Sequence, residues 1–174
     1  MPFNIIVGAH STNFAIGAAG KIPWKCSADM KFFKDLTTIT TDPNKVNAVI
    51  MGRTTYMSLI PGLPNRVNII LTKMPFLYES QNNQVLFCNN FNESIHMLEK
   101  IPNIENIFVI GGEMVYKQAV NHPKCSKIYL NLIHVMCDLS KSDTFFPPVD
   151  PSIFGLVNTT VIDQSVTSFI YVRK

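Results

Sequence analysis

Ile107-Phe108-Val109-Ile110-Gly111-Gly112-Glu113 is the stretch that decides the fold, because an apolar run meets two glycines and then an acid. A run this short and this apolar is typical of a strand covered on both faces. Two glycines let the backbone approach a ligand closely, and a helix starting near Glu113 would present unpaired N–H groups to an anion. The stretch therefore predicts a strand, a turn and a helix in succession, although Gly-Gly alone also occurs in plain turns.

The same pattern recurs along the chain and indicates the fold class. We predict strands at Phe3–Val7, Val46–Met51, Val67–Leu71, Gln84–Phe87, Asn106–Ile110 and Lys127–Ile133, and helices at Met30–Leu36, Thr54–Leu59, Phe91–Glu99 and Glu113–Val120. Alternating strands and helices favour an α/β fold with a mainly parallel sheet. Thr159–Asp163 and Ser168–Val172 predict a final antiparallel hairpin, so the sheet is mixed. No repeat or linker divides the sequence, and we expect residues 1–174 to form a single domain.

Composition excludes several classes of protein. The 174 residues are 47% hydrophobic and 16% charged, which indicates a globular chain, and a net charge of +3 is too small to favour a nucleic-acid binder. The four cysteines and four histidines show no metal-ligand spacing, so we expect free thiols, no metal and a reducing compartment. No signal peptide or apolar stretch of about 20 residues is visible. We therefore expect a cytoplasmic protein with no membrane or nucleic-acid partner.

One acid lies on an apolar helix face. Ser27 is a plausible N-cap, and Phe32, Phe33 and Leu36 fall on the same helical face as Asp29. A carboxylate there needs a polar partner or a pocket. Asp29 is alternatively a surface acid in a first turn, where the helix dipole favours it.

Three predicted strands end in groups that suit phosphate. Gly111-Gly112 follows one strand, Gly52-Arg53-Thr54-Thr55 a second and Thr72-Lys73 a third. The carboxyl ends of parallel strands share one edge of a sheet, so these groups should converge there. Together they favour a polyphosphate ligand, such as a dinucleotide with an extra 2′-phosphate. Arg66 is either a solvated loop cation or a clamp for a carboxylate at the opposite edge of the cleft.

In order and spacing, these segments resemble the dihydrofolate reductase family over nearly the whole chain. The matching segments are Ala15–Gly17, Gly20–Trp24, the helix with Asp29 and Phe33, Ile50–Tyr56, Leu63–Thr72, Val109–Tyr116 and Ser142–Pro147. The resemblance implies eight mostly parallel strands, about four flanking helices and a cis Gly111-Gly112 peptide. It also implies reduction of 7,8-dihydrofolate to tetrahydrofolate with NADPH as cofactor, by hydride transfer to C6 and protonation at N5. Antifolates such as methotrexate should bind, and the protein should be a monomer.

The resemblance also implies roles for individual residues. Asp29 should bind the pterin, with Ile22 and Trp24 completing the catalytic set in the Gly17–Trp24 loop that closes over the nicotinamide. The folate pocket should be lined by Ile6, Val7, Ala9, Met30, Phe33, Ile60, Leu63, Arg66, Ile110, Tyr116 and Asn131, with Arg66 on the α-carboxylate of the glutamate tail. The cofactor should contact Ala9, Ile16, Gly17, Gly20, Gly52, Arg53, Thr54, Thr55, Leu71, Thr72, Lys73, Ile110, Gly111, Gly112, Glu113, Met114, Val115 and Tyr116.

Asn131 departs from the family pattern, which usually has Thr there to bond the catalytic acid. An amide also donates to a carboxylate, but its reach differs. Two alternatives remain: a related NADPH reductase of flavin synthesis, which should lack the set Trp24, Asp29, Phe33 and Arg66, or a non-catalytic folate- or nucleotide-binding protein.

Overall fold

The fold is seen in a computed structural model that describes residues 1–77 and 84–174. The main sheet contains β1 (Phe3–His10), β3 (Val46–Gly52), β4 (Arg66–Leu71), β5 (Val85–Cys88), β6 (Ile104–Val109), β7 (Cys125–Ile133), β9 (Phe154–Asp163) and β10 (Val166–Arg173). A small second sheet pairs β2 (Ala15–Gly17) with β8 (Thr144–Phe145). The helices are α1 (Ser27–Thr38), α2 (Arg53–Met57), α3 (Phe91–Glu99) and α4 (Glu113–Val120), with a short 3-10 helix at Pro75–Leu77.

The eight-stranded sheet has the order β5-β4-β3-β6-β1-β7-β10-β9. The first six strands of this order are parallel, whereas β10 runs antiparallel to both β7 and β9. The predicted α/β class, with its mostly parallel eight-stranded sheet, four helices and terminal hairpin, is therefore confirmed.

Helices cover both faces of the parallel strands, which explains their nearly continuous apolar sequences. Alternate residues of one strand enter different clusters, so that Ile5 and Val7 pack with residues of α3 and α4. Ile6 lies in the other cluster, where Phe33 and Leu36 of α1 pack against it. A strand buried on both faces loses the alternation of polar and apolar residues.

Several element boundaries differ from the predictions. Cys26, not Ser27, is the N-cap of α1, so the prediction of a Ser27 cap is wrong; the cap has no side-chain hydrogen bond. The hairpin strands are longer than predicted because the turn is tight: the Asp163 carboxylate accepts bonds from the Ser165 N–H and hydroxyl, and Val166 already pairs with Asp163. The pairing of β2 with β8 was not predicted, since neither segment has a strand pattern of its own.

Candidate active site

A large cleft of about 1970 Å³ runs along the sheet and brings the predicted site segments together. One part, which we call the helix side, is lined by Asp29, Phe33 and Arg66. The other part, the strand-end side, is lined by Gly52–Thr55, Thr72, Lys73 and the start of α4. The strand-end side lies at the carboxyl ends of β3, β4 and β6, where open α/β sheets bind ligands, whereas the helix side extends from Asp29 to Arg66 at the start of β4.

Asp29 projects from the first turn of α1 toward the sheet, where β1 and β7 lie side by side. Its Oδ1 accepts a hydrogen bond of 2.9 Å from the Asn131 Nδ2 group. A Cβ added at Gly8 would lie 2.6 Å from Asp29 Oδ2, so only glycine leaves room for the carboxylate at this point of β1. The surface-acid alternative is therefore wrong, because Asp29 has a fixed side-chain partner inside the cleft.

Burial raises the pKa of Asp29 above its usual value, and the hydrogen bond from Asn131 lowers it in part. Tyr116 of α4 is also near enough to feel the carboxylate: burial and then the charge of Asp29 raise the pKa of its phenol. The Tyr116 hydroxyl donates 2.9 Å to the carbonyl oxygen of Ile6, which ties α4 to β1. The Tyr116 phenol is therefore neutral, and its hydrogen is already donated to a backbone carbonyl oxygen.

Arg66 is buried, with only 3% of its surface exposed, so the alternative of a solvated loop cation is wrong. Its Nη1 donates 2.8 Å to Thr37 Oγ1, and its Nε donates 2.9 Å to the carbonyl oxygen of Pro64. Burial lowers the pKa of the guanidinium. Since the group still lines the cleft, its remaining donors suit an anionic ligand group.

The strand-end side is held together by backbone hydrogen bonds between neighbouring strand ends. The Ile110 N–H donates 3.0 Å to the Ile50 carbonyl oxygen, and the Gly52 N–H donates 2.8 Å to that of Gly111. The Gly111-Gly112 peptide is cis, which confirms that expectation. Gly111 has a φ of 113°, and a Cβ there would lie 3.0 Å from the Tyr116 ring, so both conformation and space require glycine.

The loop between β2 and α1 borders the cleft and is anchored at its base. Asp143 donates its N–H to the Gly17 carbonyl at 3.1 Å, and its carboxylate accepts the Ala19 N–H at 2.9 Å. Trp24 is buried, with its ring centroid 5.9 Å from that of His10, whereas Ile22 is 66% exposed. Trp24 therefore fixes the end of this loop while Ile22 remains open to the cleft.

Most of the predicted site residues line the cleft, but four do not. The cleft wall includes Ile6, Val7, Ile16, Gly17, Gly20, Ile22, Trp24, Asp29, Met30, Phe33, Gly52, Arg53, Thr54, Thr55, Leu63, Arg66, Leu71, Thr72, Lys73, Ile110, Gly112, Glu113, Met114, Val115 and Tyr116. Ala9 and Gly111 are buried, and Ile60 is exposed but does not belong to the cleft wall. Asn131 is buried beneath the wall and donates a hydrogen bond to Asp29. Direct ligand contacts of these four residues stay a prediction.

Sequence reasoning missed other residues at the site. Gly8 gives space to Asp29, and its signal was an isolated glycine inside a strand pattern. Thr37 Oγ1 accepts the hydrogen bond from Arg66, and the Thr37 hydroxyl donates 2.7 Å to the Phe33 carbonyl oxygen. Lys31, Lys34, Asn89 and Asn90 also line the cleft. Nothing in the sequence distinguishes their polar side chains from other surface positions.

The donors suit an anionic organic ligand. Within residues 1–77 and 84–174, no cluster of three or more His, Cys, Asp or Glu side chains is placed to hold a metal ion. In the same part of the chain, no helix is both long and apolar enough to cross a bilayer.

Comparison with known proteins identifies relatives over most of the chain. A family model described as "Dihydrofolate reductase" matches residues 3–172. Proteins named dihydrofolate reductase from Drosophila melanogaster and Heliothis virescens are 40% and 39% identical, covering 86% and 88% of this chain and 81% and 83% of their own lengths. A "Bifunctional dihydrofolate reductase-thymidylate synthase" from Daucus carota is 40% identical over 86% of this chain, which spans only 29% of that relative.

Proposed function

The chain belongs to the dihydrofolate reductase family, and we propose that it reduces 7,8-dihydrofolate to 5,6,7,8-tetrahydrofolate with NADPH as the reductant. The observation that carries this proposal is the position of Asp29, a partly buried carboxylate with a fixed donor inside a cleft that also has a buried guanidinium. Such a carboxylate can accept two parallel hydrogen bonds from a ring N–H and an adjacent amino group, which a pterin provides.

The distance between the two charged groups also fits an elongated substrate. Thr37, which binds Arg66, lies eight residues after Asp29 on α1, and this corresponds to about 12 Å along a helix axis. A substrate with a heterocycle at Asp29 and a carboxylate at Arg66 would therefore lie along α1. Met30, Phe33 and Leu63 offer apolar contact between the two ends.

The strand-end side supports a dinucleotide that carries phosphates. Arg53 and Lys73 offer positive charge, Thr54, Thr55 and Thr72 offer hydroxyl donors, and α4 begins directly after Gly112. These donors fit the 5′-diphosphate and the 2′-phosphate of NADPH. When bound there, NADPH would supply the hydride that reaches C6 of the substrate.

Asp29 acts in this proposal as an anchor and an electrostatic group. Ionised, it accepts hydrogen bonds from the pterin, and its negative charge raises the proton affinity at N5. The proton itself comes from water admitted near the ligand, so one proton and one hydride are added across the N5–C6 double bond. Trp24 and Ile22 limit water access at the loop side of this reaction.

We also propose that the protein works in a reducing compartment such as the cytoplasm, as a monomer. The four cysteines are free thiols, three of them buried. Burial raises the pKa of Cys88 and of Cys125 to about 12, which keeps both thiols protonated and unreactive.

A steady-state assay of NADPH oxidation tests the proposal. We expect turnover with dihydrofolate, preference for NADPH over NADH, and competitive inhibition by methotrexate. Tight methotrexate binding without turnover would favour a non-catalytic binding protein. Turnover of a pyrimidine precursor of flavin synthesis, without turnover of dihydrofolate, would favour the related reductase.

A further inference from the structure

Two buried polar side chains lie side by side behind Asp29. Asn131 on β7 is paired with Gly8 on β1, and on its other side with Ser168 on β10. Directly paired residues of antiparallel strands point to the same face of a sheet. This face is the one under α1, because the next pair on that side, Ile133 and Val166, packs with Trp24 and Cys26.

Each of these side chains has a buried oxygen without a partner among the described residues. Asn131 is completely buried; its Nδ2 binds Asp29, while its Oδ1 has no hydrogen-bond partner. Ser168 is 3% exposed, and its Oγ likewise has none. Buried polar atoms are nearly always hydrogen-bonded, so two such atoms on directly paired residues need a common explanation.

The two oxygens are chemically complementary. An amide oxygen only accepts, whereas a serine hydroxyl donates and turns freely about one bond. Side chains of a directly opposed antiparallel pair have Cβ atoms about 4.5–5.5 Å apart, within reach of a direct or single-water hydrogen bond. A rotation of the Ser168 side chain, or one bridging water, would connect its hydroxyl to Asn131 Oδ1.

We propose that the Ser168 hydroxyl donates to Asn131 Oδ1, directly or through one ordered water, and so holds the Asn131 NH₂ group toward Asp29. Ser168 is then a positioning residue for Asp29, although the two side chains do not touch. The importance of Ser168 for catalysis rests on the proposed function, in which Asp29 binds the substrate. The terminal hairpin thereby takes part in organising the site.

The orientation of the amide matters because its two ends affect a carboxylate in opposite ways. With NH₂ toward Asp29 the amide stabilises the ionised acid, whereas a flipped amide would place two oxygens against each other. A hydroxyl that donates to Oδ1 polarises the amide and strengthens the hydrogen bond that its NH₂ group gives to Asp29. Without that donor the bond to Asp29 is weaker, and the pKa of Asp29 would rise further.

Other titratable groups around Asp29 have to be separated from this effect. His10 lies on β1, Tyr129 on β7 and Tyr116 on α4, and Lys31 and Lys34 lie on α1 itself. None of them is changed by a substitution at residue 168. A matched pair of variants at that position therefore isolates the hydroxyl.

Ser168→Thr and Ser168→Val form this pair, since threonine and valine have nearly the same shape, suit a strand and differ in one hydroxyl. The readout is the pKa of the Asp29 carboxyl, followed by ¹³C NMR in the protein without ligands and assigned with Asp29→Asn. We expect Ser168→Thr to match the wild type and Ser168→Val to shift the pKa upward by roughly 0.5–1 unit. Equal pKa values in the two variants would overturn the proposal.

Two further arms make the result decisive. In an Asn131→Leu background the two variants should give the same pKa, because the amide that connects residue 168 to Asp29 is absent; a persistent difference would contradict the proposed route. If Ser168→Val does not fold, Ser168→Ala replaces it with the same expectation.

Since the titration needs no turnover, a shifted pKa in a protein that does not reduce dihydrofolate rejects the proposed function alone. Turnover with an unshifted pKa rejects only the role of Ser168.

Discussion

The helix side and the strand-end side of the cleft carry their charges in different ways. Arg53 and Lys73 on the strand-end side are exposed and follow directly after strands. Asp29 is partly buried and Arg66 is almost fully buried, and each is held by another side chain, Asn131 or Thr37. Exposed charges act through a field that salt screens, whereas buried charges depend on fixed partners. Substitutions on the helix side should therefore reduce activity far more than substitutions on the strand-end side.

The largest effect is expected from Asp29→Asn. Turnover should fall roughly 100- to 1000-fold at neutral pH, because a neutral amide cannot accept two parallel hydrogen bonds, one on each terminal atom, or raise the proton affinity at N5. NADPH affinity, measured by fluorescence titration, should stay close to that of the wild type. Asp138→Asn, which changes an exposed acid outside the cleft wall, is the control and should keep its activity. Near-normal turnover of Asp29→Asn would remove this residue from the mechanism.

Arg66→Leu should mainly weaken substrate binding. We expect KM for dihydrofolate to rise roughly 10- to 100-fold, because charge-assisted hydrogen bonds to the substrate carboxylate are lost. Turnover of a dihydropterin without a glutamate tail serves as the control, since it has no carboxylate to bind. An equal loss with both substrates would show that Arg66 supports the fold of the cleft and does not clamp a carboxylate.

On the strand-end side, the double variant Arg53→Ala/Lys73→Ala should reduce the preference for NADPH over NADH by about 10-fold, and less at high salt. Each cation is exposed, so its contribution to binding is small. Lys127→Ala, which removes an exposed cation of β7, should leave the preference unchanged. An unchanged preference in the double variant would contradict the assignment of this side to the 2′-phosphate.

The smallest expected effect concerns stability. Burial raises the folded pKa of Asp29 above its unfolded value, so the ionised carboxylate disfavours the folded state once pH rises through that folded pKa. Asp29→Asn should therefore have a higher Tm than the wild type at pH 7, and the difference should shrink toward pH 4. The amide oxygen introduced by this substitution can still accept a hydrogen bond from Asn131. A lower Tm at pH 7 would indicate that the ionised carboxylate stabilises the fold.

The strands and most of the strand-end side could be predicted from the sequence, because apolar runs that end in glycine or a cation are local signals. The run before Gly111-Gly112 is one example, and α3 and α4 have the predicted bounds. The partners of the helix side could not be predicted. Gly8, Thr37 and Ser168 acquire their roles only through strand register and helix packing, which bring together residues distant in sequence.

The position of Ala9 also depends on strand geometry. It lies one position beyond Gly8, and successive residues of a strand point to opposite faces. Gly8 therefore faces Asp29 while Ala9 is fully buried in the core on the other side of the sheet. A family resemblance identifies the strand, but the side of the sheet determines which side chain faces Asp29.

The most direct test of the central role of Asp29 is the pH dependence of hydride transfer, measured in single turnovers by stopped-flow loss of NADPH absorbance. For the wild type, the rate should fall as pH rises above neutrality, because a protonated complex is required and Asp29 controls its proton affinity. Asp29→Asn should be slow and should lose this transition. A flat profile in the wild type, or the same transition in both proteins, would contradict the account.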